Sequence, residues 1–583
     1  MRGAVSGGAT GGFFGAPRAR FGWLHRGGPT ALVIVPPFGY EAVCAHRALR
    51  HLGEAAANAG LTAVRFDLDG TGDSEGSDLD PDRLGAWLAS IDDACNLART
   101  AGAQQLVLVG VRLGATLAVL AAARRARHGD VVGIVTIAAV ASGKALVREG
   151  RALQMQLQLA PAPAGVATTA EDLHEVVGFA QTAETRAALG QIDLLKTPRA
   201  PAPTMLVLDR DDLPPNDKLV AALRSLGTTV EQVRLPGYVE MMLDPHVAQV
   251  PDQILAATIA FAKACPALAL APAPAPAPEV ELVAKAVLSP ASGMTEELVT
   301  IDRDLTAVAS MRGPIKRAVI LANAGGVYRI GPNRLYVELA RALAATGDTL
   351  VLRADLSGLG DSRPRPGSAE NVVYSDHAVA DLGALAAWAR AKGAHEVAVV
   401  GLCSGAYHAI KGALAHAIET IVPINPLTFF WKAGMPLDYA GFRVTGDAQR
   451  YKQSMHSAEA WKKLLRGGVD LRRVVRTVTT RVKQVLEHRG RDVLRRLRVP
   501  LSEDLGSELL ALGRKRATIK FVFAGSDPGH ALLTEQGGSA VPKLERAGML
   551  SIEMIANADH TFTARWTHPL FVAAVIRALG PTR

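Results

Sequence analysis

The chain has 583 residues, a length at which a single hydrophobic core has stopped growing, so we expect two domains. Hydrophobic residues make up 49% and charged residues 20% of it, which is typical of a globular protein. The four cysteines are far apart, with no CxxC pair and no metal-ligand spacing, which argues against a disulfide framework or a structural zinc site. We find neither an apolar run of about 18 residues nor a signal-peptide pattern, and therefore predict a cytoplasmic protein without a transmembrane segment. No cofactor is predicted.

A proline-rich segment divides the chain. Residues 266–278 read PALALAPAPAPAP, and alternating Ala-Pro lacks the backbone donors of helix and sheet and favours extended polyproline geometry. We interpret residues 266–280 as a linker between one domain at 1–265 and another at 281–583. The alternative is a long surface loop within one domain. The linker is favoured because a similar order of elements begins again beyond it.

The first half opens with the apolar strand ALVIVPPFG at 31–39, followed by a helical pattern and a second strand, LTAVRFDLDGTGDSEG, at 61–76. A long Ala-rich helix comes next, and then the buried strand and turn LVLVGVRLGAT at 106–116. Strands that alternate with helices at this spacing indicate a parallel sheet with helices on both faces.

The second half repeats this order of elements. Its first strand and turn are AVILANAGG at 318–326, its second is DTLVLRADLSGLGDS at 348–362, and VAVVGLCSGAY at 397–407 follows another long helix. The two copies match at the GDS turn and again at the turn after the third strand. The predicted fold class is therefore α/β, with two similar, mostly parallel sheets in tandem, each flanked by helices.

The turn Gly401-Leu402-Cys403-Ser404-Gly405 has the pattern of a nucleophile elbow, because it follows a predicted strand and precedes a helical run. A nucleophile on such a strained turn needs small residues two positions away on either side. The helix N-terminus beyond it stabilises a thiolate or an oxyanion. Ser404 is one position out of register, since Leu402 stands where its glycine would be needed. The alternative is that Cys403 is a small buried core residue, as most free cysteines are.

Two later strands end in residues that could complete a catalytic triad. IKFVFAGSDPGH at 519–530 contains Asp527 at its end, and LSIEMIANADHTFT at 550–563 contains His560. The order nucleophile, acid, histidine is the one used by hydrolases with a nucleophile elbow. Because the ends of parallel strands lie at one edge of the sheet, we expect the three side chains to meet there. Asp559 is the weaker candidate for the acid, since successive residues point in opposite directions.

The chemistry of these residue types assigns a role to each. His560 would take the proton of the thiol and later protonate the leaving group, and Asp527 would fix the histidine tautomer and stabilise the imidazolium. The oxyanion hole is predicted to consist of the backbone N–H of Ser404 and one from the turn at 323–326, at Gly325. A Gly-rich turn after the strand lets the backbone approach the substrate closely.

The first half keeps the glycines of the elbow at 110–114, but Arg112 occupies the position of the nucleophile, and a guanidinium cannot attack a carbonyl carbon at neutral pH. Its acid strand retains Asp211 and Asp212, and Glu240 stands where register predicts the histidine. We therefore predict a degenerate domain. Arg112 could pair with Asp212 or Glu240 in a buried ion pair kept for packing, or it could form an anion pocket.

A basic insertion lies where such folds carry a helical cap, at about residues 430–500. Residues 431–500 contain 17 Lys and Arg against 6 Asp and Glu, a net charge of +11 in a chain of net +9. Apolar residues recur in it at helical spacing, which predicts amphipathic helices with a cationic outer face. That face could simply be solvated. A local excess over a catalytic pocket instead favours an anionic partner that binds at Arg472, Arg473 and Arg476, such as an acyl carrier protein, coenzyme A phosphates or an anionic membrane surface. No nucleic-acid recognition motif is present, so no nucleic-acid partner is predicted.

With these residues, both halves resemble the α/β-hydrolase superfamily. More narrowly, the chain resembles a pair of hydrolases associated with exosortase-A and exopolysaccharide systems. The first half is similar to the second member of that pair through VPPFGYEAV and RFDLDGTGDSEG. The second half is similar to the first member through NAGGVYRIGPNRLYVELARALA and GLCSGAYHA. The first of that pair likewise has cysteine in its elbow. A fusion of the two is the simplest interpretation, and it implies acyl transfer or hydrolysis on acyl thioesters. The GLC elbow also resembles dienelactone hydrolases, although those enzymes are compact and this chain carries a cap.

The leading hypothesis is a hydrolase, thioesterase or acyltransferase that forms an acyl-enzyme at Cys403 from an ester or thioester. Water as the acceptor would make it a hydrolase, and an amine or alcohol would make it a transferase. The alternative is a non-catalytic two-domain binding or scaffold protein in a biosynthetic complex, in which Cys403 takes no part.

Overall fold

The computed structural model describes residues 4–5, 8–157, 159–163, 173–266, 280–288, 293–302, 304–432, 434–435, 490–495, 497, 499 and 501–582. Most of the predicted linker lies outside these residues. So does most of the predicted cap, including Arg472, Arg473 and Arg476.

The chain forms two compact units, which are described separately. The first unit comprises residues 1–314, 326–372 and 563–568, and the second comprises 315–325, 373–562 and 569–583. The predicted linker and its limits remain a prediction.

The first unit contains a nine-stranded sheet and a separate two-stranded hairpin. From one edge to the other the sheet order is β1-β2-β3-β5-β4-β6-β7-β10-β11, and the hairpin consists of β8 and β9. The strands from β5 to β11 in this order run parallel, whereas β1, β2 and β3 pair antiparallel. The bounds are β1 (Ala4–Val5), β2 (Ala9–Phe14), β3 (Arg20–His25), β4 (Thr30–Val35), β5 (Thr62–Phe66), β6 (Gln105–Val111), β7 (Val131–Ile137), β8 (His174–Val176), β9 (Phe179–Gln181), β10 (Thr204–Asp209) and β11 (Thr229–Arg234).

Helices connect the parallel strands of this sheet, as parallel pairing requires. Helix α2 begins after Asp82, whose carboxylate accepts a hydrogen bond from the backbone N–H of Gly85, the usual way of satisfying an N-terminal donor. The helices of the first unit, which include α9 from the second half of the chain, are α1 (Tyr40–Asn58), α2 (Arg83–Thr100), α3 (Leu113–Arg125), α4 (Gly143–Leu157), α5 (Ala183–Gly190), α6 (Asp217–Ser225), α7 (Tyr238–Met241), α8 (Asp252–Ala264) and α9 (Leu335–Ala344).

The strands after residue 280 repeat the pattern of the first sheet along the chain. In the first unit β12, β13, β14 and β16 pair antiparallel, and in the second unit β15, β17, β18, β19 and β20 form a parallel ladder in that order. The bounds are β12 (Lys285–Leu288), β13 (Met294–Ile301), β14 (Leu305–Met311), β15 (Arg317–Ala322), β16 (Thr349–Ala354), β17 (Glu396–Leu402), β18 (Thr420–Ile424), β19 (Thr518–Ala524) and β20 (Leu550–Ile555).

The remaining helices follow the parallel strands in the same way. They are α10 (Ala378–Ala391), α11 (Ser404–Ala415), α12 (Leu505–Arg514), α13 (Gly529–Gly537), α14 (Ala540–Arg546) and α15 (Thr567–Leu579). Within the described residues, no helix combines the length and the apolar character needed to cross a membrane.

The central strands are continuous apolar runs, because a parallel sheet is covered by helices on both faces. All seven residues of β6 and the last six of β17 are buried. The predicted fold class is confirmed: the chain carries two mostly parallel sheets flanked by helices. Parallel strands end at a common edge, and β17, β19 and β20 lead at that edge of the second unit into Cys403, Asp527 and His560.

Candidate active site

Cys403 lies between β17 and α11 in a backbone conformation that residues other than glycine rarely adopt, with φ 59° and ψ −116°. Its neighbours have to be small for this turn to form. A Cβ at Gly401 would lie 2.2 Å from the backbone of Gly405, and a Cβ at Gly405 would lie 2.8 Å from the carbonyl oxygen of Ala322. The thiol is partly exposed, whereas Cys44, Cys95 and Cys265 are buried. The turn therefore presents Cys403 to the edge of the sheet, as a strained elbow does.

Asp527 and His560 form a hydrogen-bonded pair beside this elbow. Nδ1 of His560 lies 2.5 Å from Oδ2 of Asp527, whose side chain is fully buried. The other oxygen, Oδ1, accepts a hydrogen bond of 2.7 Å from the backbone N–H of Gly529, which fixes the carboxylate. Asp559 points elsewhere, since its Oδ2 accepts a hydrogen bond from the hydroxyl of Thr561. The carboxylate that orients the imidazole is therefore that of Asp527.

The pKa of His560 reflects its two partners. Burial lowers this pKa, but the hydrogen bonds to Asp527 and Cys403 and their negative charges outweigh burial and raise the pKa to about 10. With Nδ1 on Asp527, it is Nε2 that is left to face the thiol, and Nε2 has no other protein partner. The arrangement places an imidazole that is held by a carboxylate beside a cysteine, which provides the base that a cysteine nucleophile needs.

Asn425, at the end of β18, is a site residue that the sequence interpretation missed. Its Nδ2 donates to the carbonyl oxygen of His560 at 2.8 Å, and its Oδ1 accepts from the backbone N–H of Ala524 at 2.8 Å. Asn425 is fully buried, and its backbone has a positive φ of 45°. It joins the histidine loop to the ends of β18 and β19. The sequence did contain a signal for Asn425, since a polar residue directly after an apolar strand indicates a position at the functional edge of the sheet.

The two residues of the predicted oxyanion hole lie together. The backbone N–H of Gly325 donates to the hydroxyl of Ser404 at 3.0 Å. The backbone N–H of Ser404 is the first of α11, and the first N–H groups of a helix have no partner within it. That N–H is therefore available to an oxyanion, whereas the N–H of Gly325 is bonded to a hydroxyl that a substrate would have to displace.

Aromatic side chains line the turn of α11 that follows the elbow. Tyr407 lies four residues after Cys403, in the first turn of α11. Its ring meets that of Tyr374 edge-on at 5.3 Å, and Tyr374 stacks on Trp431 at 4.2 Å. Burial and then the nearby charge of Cys403 raise the pKa of Tyr374, so its phenol stays protonated. These three rings were not identified from the sequence, because they come from separate segments.

The elbow of the first half keeps the same backbone without the chemistry. Arg112 has φ 53° and ψ −119°, close to the values of Cys403. Its guanidinium bonds to Glu41 and Glu149, each at 2.8 Å. The predicted partners, Asp212 and Glu240, were wrong. The strand register predicts where the backbone lies, but it does not predict the direction in which a long side chain extends. The arrangement is an ion pair, which corresponds to the packing alternative.

The acid strand of the first half also differs from its counterpart. Asp211 and Asp212 are both exposed, and Asp212 is held by Arg210 at 2.6 Å. Neither residue is buried against an imidazole as Asp527 is. In the described part of the chain, no group of His, Cys, Asp and Glu is arranged to hold a metal ion.

Introducing a thiol into the first elbow is expected to give no activity. Changing Arg112 to cysteine in a Cys403→Ala chain should yield no acyl adduct with an activated ester, because carboxylates rather than an imidazole bond the side chain at this position. Intact-protein mass spectrometry measures the adduct. Acylation at position 112 at a rate similar to that of the native elbow would contradict the degenerate interpretation.

No protein-family model and no curated protein matches the chain. Solved structures match it at low identity. One is a proline iminopeptidase from Mycobacterium smegmatis, with 14% identity and a TM-score of 0.31 over 43% of this chain and 97% of that one. Another is the alpha/beta hydrolase GrgF from Penicillium sp. sh18, with 15% identity and a TM-score of 0.32 over 44% and 98%. A third is mouse alpha/beta hydrolase domain-containing protein 10, with 16% identity and a TM-score of 0.30 over 43% and 96%.

An α/β-hydrolase fold has a mostly parallel sheet, helices between its parallel strands and a strained turn that carries the nucleophile. The first sheet has this strand order and direction, and a strained turn precedes both α3 and α11. The chain has two such folds.

Proposed function

We propose that the second half is a cysteine-dependent hydrolase or acyltransferase that forms an acyl-enzyme at Cys403 from an ester or thioester. The observation that carries this proposal is the pairing of His560 with the buried carboxylate of Asp527, which leaves Nε2 for a partly exposed thiol on a strained elbow. A cysteine kept only for packing needs neither the imidazole nor the carboxylate behind it.

The proposed reaction has two halves. Nε2 of His560 takes the proton of the thiol as the sulfur of Cys403 attacks the carbonyl carbon, and the tetrahedral oxyanion is stabilised by the N–H of Ser404 at the start of α11. When the carbon–oxygen or carbon–sulfur bond to the leaving group breaks, the proton on Nε2 of His560 passes to the leaving group. His560 then takes a proton from water, an alcohol or an amine, which attacks the thioester carbon and releases the acyl group from Cys403.

The rings of Tyr374, Tyr407 and Trp431 support an apolar acyl group next to the nucleophile, since aromatic walls bind apolar surface in defined orientations. The net charge of +11 in residues 431–500 supports an anionic carrier of that acyl group, such as an acyl carrier protein or the phosphates of coenzyme A. Such substrates would fit the proposed relation to exosortase-associated hydrolases.

The test is the mass of the intact protein after short exposure to a panel of activated esters and acyl thioesters. We expect a single acyl adduct on the native protein and none on Cys403→Ala or His560→Ala. The matched control is Cys44→Ala, which removes a buried thiol whose pKa burial raises to about 12 and should leave the adduct unchanged. Loss of the adduct in water or on addition of an amine would separate a hydrolase from a transferase.

The competing function is a binding or scaffold protein, which is favoured by the loss of the nucleophile from the first elbow. It predicts no adduct with any ester. It also predicts that iodoacetamide alkylates Cys403 equally slowly in the native protein and in His560→Ala. That pair of results would overturn the catalytic proposal.

A further inference from the structure

A hairpin from the first half of the chain lies against the segment that follows the candidate catalytic histidine. The hairpin is β8–β9, and the segment is residues 563–566, which belong to the same compact unit. Oε2 of Glu175 on β8 accepts a hydrogen bond of 2.9 Å from the backbone N–H of Arg565. Gly178 in the hairpin turn has φ 80°, and a Cβ there would lie 2.8 Å from the carbonyl oxygen of Thr563. The contact therefore involves the backbone on both sides.

The side chain of Arg565 extends this contact. It is 8% exposed, and it pairs with Asp78 at 3.3 Å and with Glu338 at 2.7 Å. The other carboxylate oxygen of Asp78 accepts the backbone N–H of Ala180 at 2.7 Å, so one carboxylate holds both the hairpin and the arginine. Burial opposes the charge of Arg565, but the carboxylates raise its pKa above the ordinary value. This arginine is therefore a buried, charged anchor.

The next residue is held by the first half as well. Nε1 of Trp566 donates to the carbonyl oxygen of Ala160 at 3.2 Å. Residues 78, 160, 175 and 178 all precede the proline-rich segment. The first half thus makes four contacts with residues 563–566. Its own elbow holds Arg112, which pairs with Glu41 and Glu149.

We infer that the first half positions the catalytic histidine, with Asp78 and the hairpin β8–β9 fixing residues 563–566 and so the loop that carries His560. The inference rests on the proposed function. Only two residues separate His560 from Thr563, so a displacement of the anchored segment must move the imidazole. A misplacement of about 1 Å at a catalytic group costs on the order of 100-fold in rate. Glu175 and Asp78 are positioning residues, because they act through Arg565.

Removing the side-chain carboxylate that accepts the backbone N–H of Arg565 tests this inference. Glu175→Ala is expected to lower the rate of Cys403 acylation by an activated ester about 10- to 100-fold through kcat rather than KM, and to shift the pH profile of that rate. Glu175→Gln, whose amide oxygen can still accept from Arg565, should restore most of the rate. The matched control is Glu184→Ala, because Glu184 also accepts a backbone N–H, that of Asp82, but within the first half.

A second measurement does not depend on catalysis. Amide hydrogen exchange of residues 556–566 should become faster in Glu175→Ala and stay unchanged in Glu184→Ala, while exchange in β19 is the same in all variants. If native Cys403 forms no adduct but the loop exchange still responds, the proposed function fails and the anchoring by the hairpin stands. If Glu175→Ala is folded with unchanged acylation, pH profile and loop exchange, the positioning role is overturned.

Discussion

Replacing Asp527 with asparagine is expected to lower kcat/KM for an activated ester by about 10³- to 10⁴-fold. The carboxylate of Asp527 accepts a hydrogen bond from Nδ1 of His560 across 2.5 Å, which fixes the ring with Nε2 towards the thiol. An asparagine amide can instead donate to Nδ1, which places the imidazole proton on Nε2 and removes the base. The loss should appear in kcat, since neither residue contacts the substrate before the bond changes.

The adjacent carboxylate provides the control. Asp559→Asn changes the same charge one residue before the histidine, but this carboxylate bonds to Thr561 rather than to the imidazole. We expect its kcat/KM to remain within about threefold of the native value, because the imidazole keeps its hydrogen bond to Asp527. A larger loss in Asp559→Asn than in Asp527→Asn would show that the acid has been assigned to the wrong residue.

Asp527→Asn should also change how the stability of the fold depends on pH. Burial lowers the pKa of His560, but Asp527 and Cys403 raise it to about 10, so the folded state holds a proton that the unfolded state loses near pH ~6.5. The stabilisation is complete below that pH and is lost as the pH rises towards 10. Urea unfolding from pH 6 to 10 should therefore show a steeper fall for the native protein than for Asp527→Asn. Parallel curves would mean that the carboxylate does not hold the proton.

The sequence predicted the parts of the site that depend on strand ends. Cys403, Asp527 and His560 each follow an apolar run, and parallel strands bring such positions to one edge of a sheet. The choice of Asp527 over Asp559 followed from alternation along a strand. The prediction of two mostly parallel sheets followed from the same repeated order of strands and helices. These features depend on the local pattern alone, which a single sequence contains.

The parts that the sequence did not predict depend on side chains from distant segments. Tyr374 meets Tyr407 across 33 positions, and no periodicity connects them. Asn425 contacts the carbonyl oxygen of His560, 135 positions later. The partners of Arg112 were wrong for the same reason, since Glu149 lies on α4, a helix that contributes no residue to the elbow motif. Pattern locates an element, whereas these contacts require the packing of several elements.

Buried ion pairs link the two GDS turns of the repeated halves within the first unit. Arg65, on β5 of the first half, lies 2.5 Å from Asp361 in the second turn, and Arg353, on β16 of the second half, pairs with Asp73 in the first turn. Arg329 lies 2.7 Å from both aspartates. Equivalent residues thus exchange partners, as in an isologous contact between two copies of one subunit. Asp73 is completely buried.

Asp73→Asn is expected to destabilise the chain by about 3–5 kcal/mol, because it leaves the buried guanidinium groups of Arg329 and Arg353 without one of their carboxylates. Urea unfolding followed by circular dichroism at pH 7 measures the change. Asp212→Asn, which breaks the exposed pair with Arg210, is the control and should change stability by less than about 1 kcal/mol. A loss in Asp73→Asn no larger than this would contradict the expectation.

The loss of stability in Asp73→Asn should arise from the excess of buried positive charge that remains, rather than from the attraction that is lost. A buried pair gains little over well-packed apolar residues, because desolvation offsets the Coulomb energy, whereas a single buried charge is strongly unfavourable. Adding Arg353→Met to Asp73→Asn removes one of the two guanidinium groups that lose a carboxylate, and we expect the double variant to recover about half of the lost free energy. Arg353→Met alone should cost less than Asp73→Asn, since Asp73 keeps Arg329 at 2.7 Å. Additive losses in the double variant would mean that the cluster stabilises the fold by attraction, and that Asp73 matters through its own contacts.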